Sequence, residues 1–194
     1  GDELFADYAV LIPELLSKLP YKVFVTSSVD ALIHAAESFV SPGSNSYTEL
    51  FSIKAMEMII KGYAEVINNG QEYFRNIIDD FLVASNYAGI AFGNTGVGAV
   101  HAMSYPLGGV YHVPHGEANY QFFIEVFRYY ENKKPHGKIQ ELKEIIASVI
   151  GCSQKDAFDE LGNMLNKLLM LKPLREYGMK EAEVSGFAKN VIEI

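Results

Sequence analysis

From about residue 28 onward, apolar residues recur at three- and four-residue spacing almost without interruption, and nearly every break carries glycine or proline. That pattern leaves little room for a sheet. The spacing predicts a helix over 30–41, opened by a Ser27–Asp30 capping box and stopped by Pro42 and Gly43. A second helix is expected over 46–69, opened by a Ser46–Glu49 box and closed by Gly70. A third is expected over 71–92. Gly93, Gly96 and Gly98 then break the pattern before a short helix over 97–105. The stretch 106–116, PLGGVYHVPHG, holds two prolines and three glycines and reads as a structured turn. Helices over 117–131, 136–150, 154–171 and 179–194 complete the set. Only residues 22–26 hint at strand alternation. The fold class expected is all-α, a bundle of about seven helices, with 1–194 forming one helical domain.

A chain of 194 residues, 49% hydrophobic and 21% charged, can bury a sizeable single core. The formal net charge of −8 argues against a nucleic-acid partner, which needs clustered lysine and arginine. No apolar run approaches the roughly 18 residues of a membrane span, and no signal peptide opens the chain. The single cysteine, Cys152, cannot close an internal disulfide and is expected as a small half-buried side chain, which suits a cytoplasmic location. The chain opens on Gly1 and ends at Ile194 inside a helical pattern, so both ends read as cuts in a longer protein.

Chemistry is concentrated in a few side chains. Asp30 and His34 are four apart on one helix, which sets both on the same face. The same spacing also suits a helix-terminal aspartate and a core histidine. His101 follows the GNTGVG break, and His115 lies in PHGEAN. Both stand beside glycine or proline, where backbone is shaped closely around something. Three imidazoles and a carboxylate would make a sensible divalent site for zinc or iron. The alternative is four unrelated core or surface residues. His112 reads as a bland loop residue and His136 as exposed. GNTGVG lacks the strand and spacing of a dinucleotide loop and reads as a helix break and start.

LPYKVFVTSSVDALIHAAESFVS, NYAGIAFGNTGVG and GAVHAMSYPLGGVYHVPHGEAN together resemble the signature segments of the iron-containing (group III) alcohol dehydrogenases, across at least residues 8–130. The resemblance implies a dehydroquinate synthase-like helical bundle, the metal-binding half of a protein whose N-terminal half binds the dinucleotide. It implies a divalent metal, Fe or Zn, held by Asp30, His34, His101 and His115, with NAD(P) as cofactor of the full-length enzyme. It implies a small alcohol and aldehyde as substrates, and a homo-oligomer. His34 favours the alcohol dehydrogenase branch over glycerol dehydrogenase-like members, and the Asp30–His34 pair speaks against a dehydroquinate synthase-type lyase.

Two positions depart from the family pattern. Tyr105 stands where many members carry a second histidine, so a proton relay there is in doubt and Tyr105 is at most a substrate contact. Ile12 replaces an acidic residue before Pro13. The first segment and Tyr105 are most similar to members acting on 4-hydroxybutyrate and succinic semialdehyde, with butanol, lactaldehyde and propanediol as competing substrates. The competing function is a helical binding or structural module without metal or catalysis.

Overall fold

The computed structural model describes residues 6–192. Among them there are eight α-helices and no strand: α1 (Tyr21–Val40), α2 (Ser46–Asn69), α3 (Ile78–Thr95), α4 (Ala99–Tyr111), α5 (His115–Lys133), α6 (Lys138–Ile150), α7 (Ala157–Leu168) and α8 (Glu181–Ile192). A short 3-10 turn at Pro13–Leu16 precedes α1, and others at Gln71–Asn76, Gln154–Asp156 and Leu174–Tyr177 link α2 to α3, α6 to α7 and α7 to α8.

α1 is the axis of the bundle. It packs against α2, α3, α5 and α6, and buried residues fall on nearly every side of it, from Phe24 through Ile33 to Phe39. The sequence reading starts this helix too late. Pro20, extended at φ −65, ψ 142, sets its entry, so Ser27 lies inside the helix and 22–26 is helical. A β-branched pair at Val23 and Val25 hints at strand, but packing of Phe24 and Val25 in the core decides for helix. Burial on all faces also gives α1 the length and mean hydropathy (1.3) of a membrane span, which the sequence reading missed. Its most apolar window is 67% buried inside the bundle, as expected of a core helix.

α1 ends where Pro42 forces Ser41 into extended backbone. The cap of α2 is Asn45 rather than Ser46. Its side chain accepts from the Tyr47 and Thr48 amides, and the Thr48 hydroxyl accepts from the Asn45 amide. Phe24 stacks on Phe74 with centroids 4.6 Å apart and meets Phe81 edge-on at 4.7 Å. Gly62 is glycine because a Cβ would lie 2.5 Å from the Phe81 ring. Phe81 on α3 therefore reaches the core between α1 and α2.

At the site end, Ser41 donates to the Thr95 carbonyl and Thr95 to the Ser38 hydroxyl, each at 3.0 Å. These bonds pin the end of α3 to the end of α1. Gly96, at φ 73, then turns the chain into α4. The expected turn over 106–116 is instead mostly helix: α4 runs through Pro106 to Tyr111. Leu107 and Ser104 are buried there, and packing overrides the helix-breaking tendency of proline. His112, left-handed at φ 54, ends the helix, and α5 begins two residues earlier than expected, at His115. Cys152 is half-buried and His136 exposed, as expected.

Candidate metal centre

The four candidate ligands come from three helices and meet. Asp30 and His34 project from one face of α1, His101 from the first turn of α4, and His115 from the first residue of α5. One nitrogen or oxygen from each lies within 4.8 Å of those of the other three. His34 Nδ1 is 3.9 Å from Asp30 Oδ2. His101 Nε2 and His115 Nε2 are 3.6 and 3.7 Å from Asp30 Oδ1. Ligands about 2.1 Å from a tetrahedral ion stand about 3.4 Å apart, so shifts below about 1 Å would bring these groups onto one cation.

Each side chain is held in place. The His34 ring is sandwiched between Phe92, 4.1 Å away and nearly parallel, and His101, at 4.6 Å. Burial pushes His34 down to about 4, and the neighbouring His101 and His115 reinforce this against the pull of Asp30. It is neutral, with its lone pair available, at any ordinary pH. His101 is fixed by Glu37, two turns along α1 from Asp30. Glu37 Oε2 lies 2.6 Å from His101 Nδ1 and accepts from the Gly98 amide at 2.9 Å. Its Oε1 accepts from the Val100 amide at 2.7 Å. The buried carboxylate thus caps the start of α4 and fixes one ring nitrogen of His101. Gly98 passes so close that a Cβ there would sit 2.9 Å from Glu37 Oε1.

The other ring nitrogen, His101 Nε2, is buried and has no hydrogen-bond partner. It points at Asp30, too far for a bond. Burial disfavours charge on His101, yet the Asp30 and Glu37 carboxylates outweigh it and raise the imidazole to about 9. Burial likewise works against the Asp30 carboxylate, but His101, His34, Asn119 and His115 together hold it below its usual value. Asn119 Nδ2 donates to Asp30 Oδ1 at 2.6 Å and lies 3.1 Å from His115 Nε2. An electropositive amide thus sits where two lone pairs converge. The set fits a divalent cation: one carboxylate and three imidazoles, with one buried donor nitrogen unsatisfied.

His115 is placed by the PHG segment. Pro114 sets the entry to α5. Gly116 touches α1, where a Cβ would be 2.2 Å from the Thr26 carbonyl oxygen. That contact brings the α5 terminus against Asp30. A cavity of about 620 Å³ opens beside the cluster, lined by Asp30, His34, His115, Phe92 and Lys22 among others. Tyr105, one turn beyond His101, is 47% exposed and does not line it. His112 is exposed, outside the cluster.

Residues 24–194 match the family model described as Fe-containing alcohol dehydrogenase family, C-terminal. The chain belongs to that family. Among iron-containing alcohol dehydrogenases and their relatives, it is 60% identical over 193 residues to the 4-hydroxybutyrate dehydrogenase of Clostridium kluyveri, covering 100% of this chain and 52% of that protein. It is 30% identical to the 1,3-propanediol dehydrogenase of Klebsiella pneumoniae, over 93% of this chain and 47% of that one. The iron-containing alcohol dehydrogenase of Thermococcus thioreducens superposes with a TM-score of 0.83 at 26% identity, over 98% of this chain and 49% of the other. The chain spans about half the length of the curated relatives it matches. Membership in a family named for iron agrees with the donor set, while carboxylate and imidazole serve zinc as well.

Glu37 and Asn119 received no role from the sequence. The spacing did offer a signal, since Glu37 is seven residues after Asp30 and Asn119 four after His115, each on the ligand's own helix face.

Proposed function

We propose that residues 1–194 are the helical metal-binding half of an NAD(P)-dependent alcohol dehydrogenase, with 4-hydroxybutyrate and succinic semialdehyde as its alcohol and aldehyde. Asp30, His34, His101 and His115 are the metal ligands. The convergence of these four donors, with His101 Nε2 buried and unpartnered, carries the reading. The 60% identity to a 4-hydroxybutyrate dehydrogenase supports the substrate. NAD(P) belongs to a nucleotide-binding half outside this sequence, since no strand for such a fold occurs among the described residues.

Held by Asp30, His34, His101 and His115, a divalent cation would supply Lewis acidity toward a substrate oxygen, and a bound nicotinamide would supply the hydride acceptor or donor. The chain's own residues do the rest. Glu37 holds His101 with Nε2 turned inward, and Asn119 steadies Asp30 and His115. Phe92 and His34 wall one side of the cavity against water. Tyr105 is exposed, which supports a contact only with a ligand reaching the cluster from outside the cavity. A cytoplasmic homo-oligomer is the expected setting.

Metal analysis of protein purified without oxygen tests this. About one equivalent of iron or zinc is expected, lost in Asp30→Asn and His101→Ala. A wild-type protein without metal under those conditions would favour a non-catalytic helical module. A panel of alcohols given to the full-length protein tests the substrate.

A further inference from the structure

Among the described residues, Lys22 is the only lysine or arginine lining the cavity. It lies on the same face of α1 as two of the ligands, because positions 22, 26, 30 and 34 repeat every fourth residue. Two turns, about 12 Å of helix rise, separate it from Asp30. Its side chain is 56% exposed, while its partner Glu117 is only 5% exposed.

Glu117 is two residues beyond His115, and its Oε2 lies 2.6 Å from Lys22 Nζ. Tyr177 donates to Glu117 Oε1 at 3.0 Å and in turn accepts from Gln121. The Lys22 contact is a charge-assisted hydrogen bond. An ammonium has three donors, and with one given to Glu117 two remain for a ligand while a buried carboxylate fixes the group's position. The electrostatics give it a purpose. The chain carries −8 overall, and Asp30 and Glu117 are both on the cavity wall. On the cavity wall itself, Lys22 is the one ammonium or guanidinium an entering anion meets among the described residues.

We propose that Lys22, held by Glu117, binds the anionic oxygen of a molecule whose other end lies at Asp30, His34 and His115. The bound group is the carboxylate of a short hydroxy acid or a phosphate of the nucleotide cofactor. This rests on the dehydrogenase reading and deepens it. Lys22 serves specificity rather than the chemical step.

Lys22→Gln alone leaves a buried carboxylate unpaired, so the test pairs it with Lys22→Gln/Glu117→Gln, which removes both charges. Butyrate and inorganic phosphate are titrated into the full-length protein by calorimetry. A loss of about tenfold to a hundredfold in affinity for one of them in the double variant, with an unchanged melting temperature, is expected. Loss for butyrate identifies the carboxylate and loss for phosphate the cofactor. Equal affinity in wild type and variant, or no binding of either anion, overturns the proposal. Turnover of 4-hydroxybutyrate and butan-1-ol is the second readout. For a carboxylate site the variant loses kcat/KM for the acid alone, through KM. For a phosphate site the KM for NAD(P) rises with both alcohols. A wild type that binds the anion but oxidises neither alcohol sinks the dehydrogenase reading and leaves the anion site standing.

Discussion

Replacing Glu37 by glutamine tests how far the centre depends on one buried carboxylate. The side chain is 1% exposed and faces three nitrogens, the Gly98 and Val100 amides and His101 Nδ1. Glutamine keeps the shape but offers one carbonyl oxygen and one NH2. If the NH2 turns toward Val100, the first turn of α4 loses its acceptor. If it turns toward Gly98 and His101, the Gly98 amide is orphaned and Nδ1 must become an acceptor. The ring proton then moves to Nε2, the atom aimed at Asp30. Either way a buried donor is left unpaired, at about 1–3 kcal/mol. For a domain of this size that is a fall in Tm of about 2–12 °C. Losing the carboxylate behind a metal-binding imidazole also costs about tenfold to a hundredfold in metal affinity. Chelator-competition titration with zinc or cobalt gives the affinity, and thermal unfolding gives the Tm. An E37Q protein with affinity within about threefold of wild type and an unshifted Tm would falsify the role given to Glu37.

Other perturbations bear on the same centre. Gly116→Ala puts a Cβ 2.2 Å from the Thr26 carbonyl oxygen, so α5 must lift from α1. A stability loss of about 1–3 kcal/mol is expected together with weakened metal binding, and a variant with native Tm and native affinity would refute the close approach. A cation must displace the proton of His101, which leaves only near pH 9 in the metal-free protein. Metal affinity should therefore rise with pH, about tenfold per unit, and level off above about 9. His34, already neutral above about 4, adds no slope in that range. A flat profile between pH 6 and 8 would contradict this assignment. Assayed by itself, the 194-residue chain is expected to give no NAD-dependent alcohol oxidation, and sustained turnover by it would refute the division of labour proposed above.

Much of this was legible in the residues. Glycines marked the break between α3 and α4, and four-residue spacing placed Asp30 and His34 on one face. What failed did so for tertiary reasons. The start of α1 was hidden because a helix buried on all sides shows no polar stripe to fix its phase. Pro106 read as a stop, but nothing local reveals that Leu107 and Ser104 are buried behind it. The resemblance to iron-containing alcohol dehydrogenases named the four candidate ligands that the structure brings together. Local spacing by itself could not have joined His101 to α1, because the contact between Glu37 and His101 spans 64 positions. The roles of Glu37 and Asn119 were within reach of helical spacing, but only once a ligand on the same helix was known.

The three-helix origin of the cluster also sets an order of events in time. As the chain leaves the ribosome, Asp30 and His34 emerge first and can offer an ion only two loose contacts. The remaining two imidazoles arrive later, and His115 comes into place only when α5 has closed on α1 at Gly116. On the metal-binding reading proposed above, loading is a late step of maturation, and an ion captured then would act as a clasp on the finished bundle. A cell short of that ion would then hold a fully synthesised but less stable protein.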